Sequence, residues 1–348
     1  MKKPAFCALL WILICCGACT MDNRDTVDEL FQAYSGENQP GAAVMIIHDG
    51  KIPLERVYGT ANIESGLPVT RESNFRLASI TKQFTAMSIL MLVEAELLTL
   101  QANPQAIFPD FPDYGRAITI EHLLQHTSGI LAYESLMPDT ATRQILDADI
   151  LQMMMQQDST YFPPGTAYRY SNTGYAVLAM IIEKTSGLSF PEYLKKKIFQ
   201  PLKMTNSVAF QKGISEVSNR AFGYRVDGDS VALSDQSPTS AVLGDGGIYS
   251  SLADLYLWDQ ALYTEQLISR EMLKRSFTPN LDIYGYGWRI DTYRNRLRVH
   301  HTGSTSGFRN VIMRFPNDKF TVIILTNRRD PAVAALAEKL TDLYLFSD

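Results

Sequence analysis

The alternation of apolar and polar positions divides the chain into segments of different period. Residues 41–48 form a run of small and branched apolar residues, residues 52–60 form a second run, and Asp49-Gly50 separates them. Asp-Gly between two apolar runs is a hairpin signal, because both residues tolerate the positive φ of a tight two-residue turn. From residue 79 to 100 the period becomes helical: Phe84, Met87, Ser88, Met91 and Val93 recur at three- and four-residue steps. A first helix is expected over 26–34 within the polar segment 22–40. Three prolines make 103–112 a loop, and a short helix opens at Thr119 and runs to 125. Residues 140–280 read as mainly helical, with loops at 162–165 and 244–247 and a helix capped near Ser251. The period then shortens. Residues 284–291, 297–302, 308–315 and 320–326 read as four short strands with turns between them, and 331–346 closes as an Ala/Leu-rich helix. The pattern predicts an α+β fold. One antiparallel β-sheet flanked by helices is built from about 41–60 and 284–327, and an all-helical subdomain of about 80–280 is inserted between them.

Composition narrows the class. A chain of 348 residues with 46% hydrophobic and 20% charged residues is long enough to bury a large core. Lys and Arg total 32 against 37 Asp and Glu, a net charge of −5, which gives no electrostatic case for a nucleic-acid partner. The four cysteines are Cys7, Cys15, Cys16 and Cys19, and none follows. The body therefore has neither a thiolate metal site nor an internal disulfide. Lys2 and Lys3 precede an apolar run over 5–18, too short for a span of roughly 20 residues and of the length of a secretory signal. The expected division is a signal peptide at 1–18, an anchor linker and first helix at 19–40, and the folded domain at 41–348. Cys16-Gly17-Ala18-Cys19 resembles the lipobox of bacterial lipoproteins, with Cys16 where leucine is usual. That resemblance implies lipidation of Cys19, a membrane partner through that anchor, and a place in the cell envelope. Plain secretion and a retained anchor are the alternatives.

Three segments carry chemistry. In Ser79-Ile80-Thr81-Lys82 a hydroxyl and an amine lie one turn apart. A serine hydroxyl needs a nearby base or a positive field to act as a nucleophile, and Lys82 offers either. In Tyr170-Ser171-Asn172 a phenol near Lys82 would relay protons, and the Asn172 amide both donates and accepts toward a substrate peptide group. In His301-Thr302-Gly303-Ser304 the glycine permits close approach of backbone to a ligand. The strand there offers an edge to an extended substrate, and the N–H of Ser304 would join that of Ser79 as an oxyanion hole.

The order Ser-x-x-Lys, Tyr-x-Asn, His-Thr-Gly resembles the serine β-lactamase and penicillin-binding-protein superfamily, and within it the class C β-lactamase and D-alanyl-D-alanine carboxypeptidase branch. Phe75-Arg76-Leu77-Ala78 before Ser79, residues 120–129, Gly244-Asp245-Gly246-Gly247 and Tyr286-Gly287-Trp288 are similar to segments of that branch, so the resemblance covers about 30–345. It implies Ser79 as acylated nucleophile, Lys82 as base or activator, Tyr170 in proton transfer, and Asn172, His301, Thr302, Gly303 and Ser304 in substrate binding. The implied activity is hydrolysis through an acyl-enzyme of a D-alanyl peptide, a β-lactam or a small acyl ester, with no cofactor. The alternative is a peptidoglycan- or penicillin-binding lipoprotein with little or no turnover. His301 stands where many relatives have lysine, and protonated His301 is expected to strengthen binding of a substrate carboxylate.

The remaining signals read as structure. His122 and His126 are four apart but lack the His-Glu-x-x-His pattern, and are expected to pack beside the site loop rather than hold a metal. His300 is expected on the sheet face opposite His301. Arg309 is expected in a surface ion pair, or else as the cation His301 does not supply.

Overall fold

The computed structural model describes residues 23–346 other than Glu37, Asp139, Lys212 and Pro331. The expected signal peptide and the lipidation at Cys19 lie outside the described residues. The apolar runs at the two ends of the chain meet in one six-stranded sheet. Its strands are β1 (Ala42–His48), β2 (Lys51–Tyr58), β3 (Arg289–Tyr293), β4 (Arg296–Thr305), β5 (Phe308–Phe315) and β6 (Phe320–Thr326), in the order β3-β4-β5-β6-β1-β2. All neighbours are antiparallel, and β1 pairs with β6 from Ala42↔Thr326 to His48↔Phe320. The β1–β2 turn has φ of 49° at Asp49 and 72° at Gly50, the two left-handed residues that a tight hairpin requires.

Five helices support the sheet and the site: α1 (Asn23–Leu30), α2 (Lys82–Glu94), α3 (Asn172–Ser186), α4 (Leu252–Ala261) and α5 (Val333–Leu345). β1 is buried on both faces of the sheet, which explains why it reads as unbroken apolar sequence. Ala42, Val44 and Ile46 join Val311, Met313 and Val322 in a core covered by Val27 and Phe31 from the first helical segment and by Ala337 and Leu340 of α5. Ala43, Met45 and Ile47 point the other way, into a larger core with Phe84, Ile89, Leu178, Leu255 and Trp258. Ten of the thirteen residues of α2, Lys82 among them, are buried. A helix apolar nearly all round belongs inside a protein, and α2 is the post between the sheet and the helical region. Among the described residues no helix is long and apolar enough to cross a membrane.

Several expected boundaries move. The first helix is α1 followed by a 3₁₀ turn at Gln32–Tyr34. The helix expected to reach residue 100 stops at Glu94, because Ala95 ends the ladder and Glu96 takes φ of 58°. The loop 103–112 contains one helical turn, Pro104–Ile107, capped by Asn103. The span 140–280 is not wholly helical. Ile248–Ser250 pairs with Phe75–Arg76 and Val208–Ala209, and Tyr224–Asp227 pairs with Ser230–Leu233. The expected loop 244–247 is mostly a helical turn, Leu243–Gly246, held because the Asp147 carboxylate accepts from Leu243 N–H (2.8 Å) and Gly244 N–H (3.0 Å). The strand expected over 284–291 is displaced to Arg289–Tyr293. Its former start packs against α2: a Cβ on Gly287, whose φ is 77°, would lie 2.6 Å from the Lys82 carbonyl oxygen.

Candidate active site

Ser79 sits in a 3₁₀ turn, Ala78–Thr81, which runs directly into α2, so the nucleophile candidate precedes the helix rather than lying on it. Ala78 has φ of 51°, a strained conformation for a residue with a side chain. The turn is pressed against β4: a Cβ on Gly303 would come within 2.0 Å of the Leu77 carbonyl oxygen. Only glycine lets the two backbones meet there. Asn310 of β5 ties the same junction by donating to the Arg76 carbonyl at 2.7 Å.

Lys82 has no solvent exposure. Its ammonium donates to Ser79 Oγ (3.2 Å), Asn172 Oδ1 (2.8 Å) and the Asp245 carbonyl (2.9 Å), so three acceptors meet three protons. Asn172 opens α3 and passes the network on, its Nδ2 donating to Glu134 Oε1 at 2.7 Å. The ammonium also lies 5.0 Å from the ring centroid of Tyr170. The side chains of Ser79, Tyr133, Glu134, Asn172, Asp245 and Ser304 border one cleft of about 140 Å³. A larger groove of about 750 Å³ lies elsewhere, around Phe199, Met204 and Val208, and contains no residue of the three motifs. Chemistry rather than size marks the smaller cleft as the site.

The strand edge is open where it is needed. β3 pairs with β4 only as far as Arg289↔His300, so from His301 to Thr305 β4 is paired on one side only, with β5. Unpaired strand groups beside Ser79 are competent to bind an extended chain.

The three motifs therefore converge, but not every residue plays the expected part. Ser79, Asn172 and Ser304 line the cleft, and Lys82 lies beneath Ser79. Tyr170, His301, Thr302 and Gly303 back the cleft rather than line it. His301 is 2% exposed. Its Nδ1 donates to the Thr302 carbonyl at 2.7 Å, and its Nε2 pairs with the Tyr284 hydroxyl at 2.9 Å, so both ring nitrogens are engaged within the protein. Burial first, and then the Lys82 cation, hold its pKa well below the ordinary histidine value. The expectation that an imidazolium at His301 would grip a substrate carboxylate is corrected accordingly: the ring is buried, its charged form is disfavoured, and both nitrogens are already bonded within the protein. Among the described residues Arg309 makes no ion pair either; it donates to the carbonyls of Phe308 (2.7 Å) and Ser306 (3.4 Å). His300 lies on the opposite face, as strand alternation requires, with Nε2 3.5 Å from Asp291.

Other participants join the site: His126, expected to pack beside the site loop, and Tyr133, Glu134 and Arg289, which sequence reasoning missed. His126 lies just past the short helix Ile120–Leu124, with φ of 60°. It is buried, accepts from Ser171 N–H at 3.1 Å, and packs its ring, tilted, 4.2 Å from Tyr170 and 4.3 Å from Tyr284 between ring centroids. It thus holds the Tyr-Ser-Asn segment in place. Tyr133 donates to Asp245 Oδ2 at 3.2 Å, and burial raises the Asp245 carboxyl to about 6. Arg289 stands 5.6 Å from the Tyr170 ring centroid. Asp245 had a signal in its Gly-Asp-Gly-Gly context; Tyr133 and Glu134 had none.

An antiparallel sheet with a Ser-x-x-Lys turn at its rim, closed over by a helical region, defines the β-lactamase/transpeptidase-like superfamily of serine hydrolases. Within it, the chain belongs to the beta-lactamase family, whose profile matches residues 27–345. It is similar to penicillin-binding protein 4* of Bacillus subtilis (strain 168), with 31% identity over 331 residues covering 89% of this chain and 73% of that protein. These curated relatives are longer; this chain spans 66–73% of the length of three that it matches. Among solved structures, the octameric penicillin-binding protein homologue from Pyrococcus abyssi superposes with a TM-score of 0.81 at 28% identity, covering 93% of this chain and 78% of that one. The D-amino acid amidase from Ochrobactrum anthropi SV3, solved with L-phenylalanine amide, shares the fold with a TM-score of 0.78 at 21% identity, covering 93% and 97%.

Proposed function

We propose that the chain is an exported, lipid-anchored serine hydrolase that works through an acyl-enzyme on an amide or ester. The observation that carries this reading is the buried Lys82 ammonium at 3.2 Å from Ser79 Oγ, in a cleft open to substrate. Ser79 Oγ, held in the field of the Lys82 ammonium, attacks the carbonyl carbon, and its proton moves to the Tyr170 hydroxyl oxygen as that hydroxyl gives its own proton to the leaving amine or alkoxide. The backbone N–H groups of Ser79 and Ser304 receive the oxyanion. The acyl portion lies along the free edge of β4, its amide against Asn172. Water then cleaves the serine ester by the same route reversed and releases the acid. Candidate substrates are D-alanyl peptides, β-lactams and small acyl esters, and the likeness to penicillin-binding proteins supports the first two.

A fluorescent phosphonate and a fluorescent penicillin, each applied to wild type and to Ser79→Ala, test the reading together with an ester, a D-alanyl peptide and a β-lactam as substrates. Label and turnover that vanish in Ser79→Ala are expected. Label without turnover of any class would favour a binding protein, and no Ser79-dependent label would overturn both readings. Anchoring is tested by metabolic incorporation of a fatty-acid analogue, expected in wild type and absent in Cys19→Ala.

A further inference from the structure

Lys82 needs three acceptors for its three protons, and the third comes from far along the chain: the Asp245 carbonyl, 163 residues on, accepts at 2.9 Å. That carbonyl belongs to the four-residue helical turn Leu243–Gly246. One turn containing two glycines cannot hold its own shape, because it closes too few hydrogen bonds to offset the freedom it loses. Three neighbours hold it. Gly244 lies hard against α3, where a Cβ would come within 2.4 Å of the Tyr175 carbonyl oxygen and 2.6 Å of the Ala179 Cβ. Thr85 of α2 donates through Oγ1 to the Gly244 carbonyl at 2.7 Å. The third is Asp147, at the start of the helix Asp147–Met155, whose two oxygens accept one N–H each, from Leu243 and Gly244. Asp147 is 7% exposed and does not border the cleft, so it meets neither Ser79 nor a substrate.

We infer that Asp147 is a positioning residue for the nucleophile: by gripping both N–H groups of the turn it sets the Asp245 carbonyl against the Lys82 ammonium, and so fixes the field in which Ser79 Oγ reacts. This rests on the reading that Ser79 is acylated. When the turn is released, the Asp245 carbonyl draws back, the ammonium turns toward its two remaining acceptors, and Ser79 Oγ loses its alignment with Lys82. Only the ionised carboxylate serves both N–H groups, since a proton on one oxygen turns an acceptor into a donor facing an N–H. Burial pushes the Asp147 carboxyl up to about 7, against the pull of the two N–H groups, so the grip loosens near neutrality as the pH falls. The groups that face Asp147 from other elements are the Asp245 carboxyl in the turn and the Tyr133 hydroxyl; around Asp245 stand Lys82, Glu134 and Arg76. On its own helix, Asp149 pairs with Arg143 at 3.2 Å.

The test follows the limiting rate at which a fluorescent phosphonate labels Ser79, on the full chain from about pH 5.5 to about pH 8.5, in wild type, Asp147→Asn and Asp147→Ser. Asparagine keeps the shape and one acceptor oxygen, and serine keeps a single hydroxyl. Thermal melting sets a temperature at which each sample is folded. The wild-type rate is expected to exceed that of Asp147→Asn by about tenfold at the alkaline end, the weight of one hydrogen bond to a charged group, with the half-saturating phosphonate concentration unchanged. The ratio is expected to close toward unity at the acid end, where wild-type Asp147 also carries a proton. Taking the ratio cancels the ionisations common to both proteins, so a merely structural Asp147 would give a ratio that does not vary with pH. A pH-independent ratio, or equal rates throughout, overturns the inference. If neither variant folds, the wild-type profile decides: a limiting rate that stays level across the range overturns it, and a decline on acidification through about 7 upholds it. Labelling of Ser79 without this pattern removes only the role of Asp147, whereas no Ser79-dependent label in wild type removes the hydrolase reading beneath it.

Discussion

The Ser79–Lys82 turn and the His301–Ser304 stretch meet at one rim, and each brings a basic side chain to it. Both side chains are almost wholly buried, yet their surroundings differ in acceptors. Lys82 has three, Ser79 Oγ, Asn172 Oδ1 and the Asp245 carbonyl, which match an ammonium. His301 has one obligate acceptor, the Thr302 carbonyl, beside the Tyr284 hydroxyl, and burial and the nearby Lys82 cation disfavour its charge. A buried group holds a charge where its surroundings supply partners for that charge, and burial disfavours it elsewhere. Two sequence motifs of equal apparent weight thus give one charged anchor and one packed support.

The comparison can be broken most severely at Lys82. Lys82→Met removes the ammonium while keeping much of the volume, and Ser79-directed phosphonate labelling should slow by on the order of a thousandfold. Thermal melting of the same variant shows whether it remains folded, and a labelling rate within tenfold of wild type would mean that the two segments do not divide the work in this way.

A smaller effect is expected where the segments touch. Gly303→Val places a side chain against the Leu77 carbonyl, where even a Cβ would lie at 2.0 Å. The chain should lose about 1–3 kcal/mol of stability by urea unfolding, and labelling should fall with it as Ala78 and Ser79 shift. Unchanged stability would show that the rim is looser than this contact implies.

The smallest effect concerns proton linkage. The folded pKa of His301 lies well below the ordinary value of 6.5, so below that pH the unfolded chain binds a proton that the folded chain refuses. Stability from this group is therefore present above pH 6.5 and lost as the pH falls below it. His126 and His300, whose values are also lowered by burial, contribute in the same direction. His301→Gln should reduce the slope of stability against pH between 6.5 and 5 by up to about 1.4 kcal/mol per pH unit. The pH profile of kcat/KM above 6.5 should keep its shape, and an inflection near 6.5 that disappears in His301→Gln would restore an imidazolium role.

Much of the sheet was legible. β1 and β2 fall within a residue or two of the runs that flank Asp49-Gly50, and β5 and β6 coincide with their apolar segments, because period and turn chemistry act locally. The strand expected at 284–291 was misplaced because its aromatic residues serve side-chain packing, Tyr284 against His126 and His301 and Trp288 against Phe277, which periodicity cannot separate from strand pairing. In the site, Ser79 and Lys82 were legible because one helical turn sets their separation. Glu134 was not: it is an isolated acid in a loop, and its place in the cleft depends on Asn172, 38 residues away.

Sequence by itself determined the mixed α+β pattern, the bare cysteine content of the body and the identity of the three motifs, since each depends on residue type and short-range spacing. Tertiary structure alone decided which motif residues face the cleft, which basic group carries charge, and that a carboxylate stands beside Asn172. Those properties depend on burial and on hydrogen-bond partners contributed by segments far apart in the chain, and no local spacing encodes either.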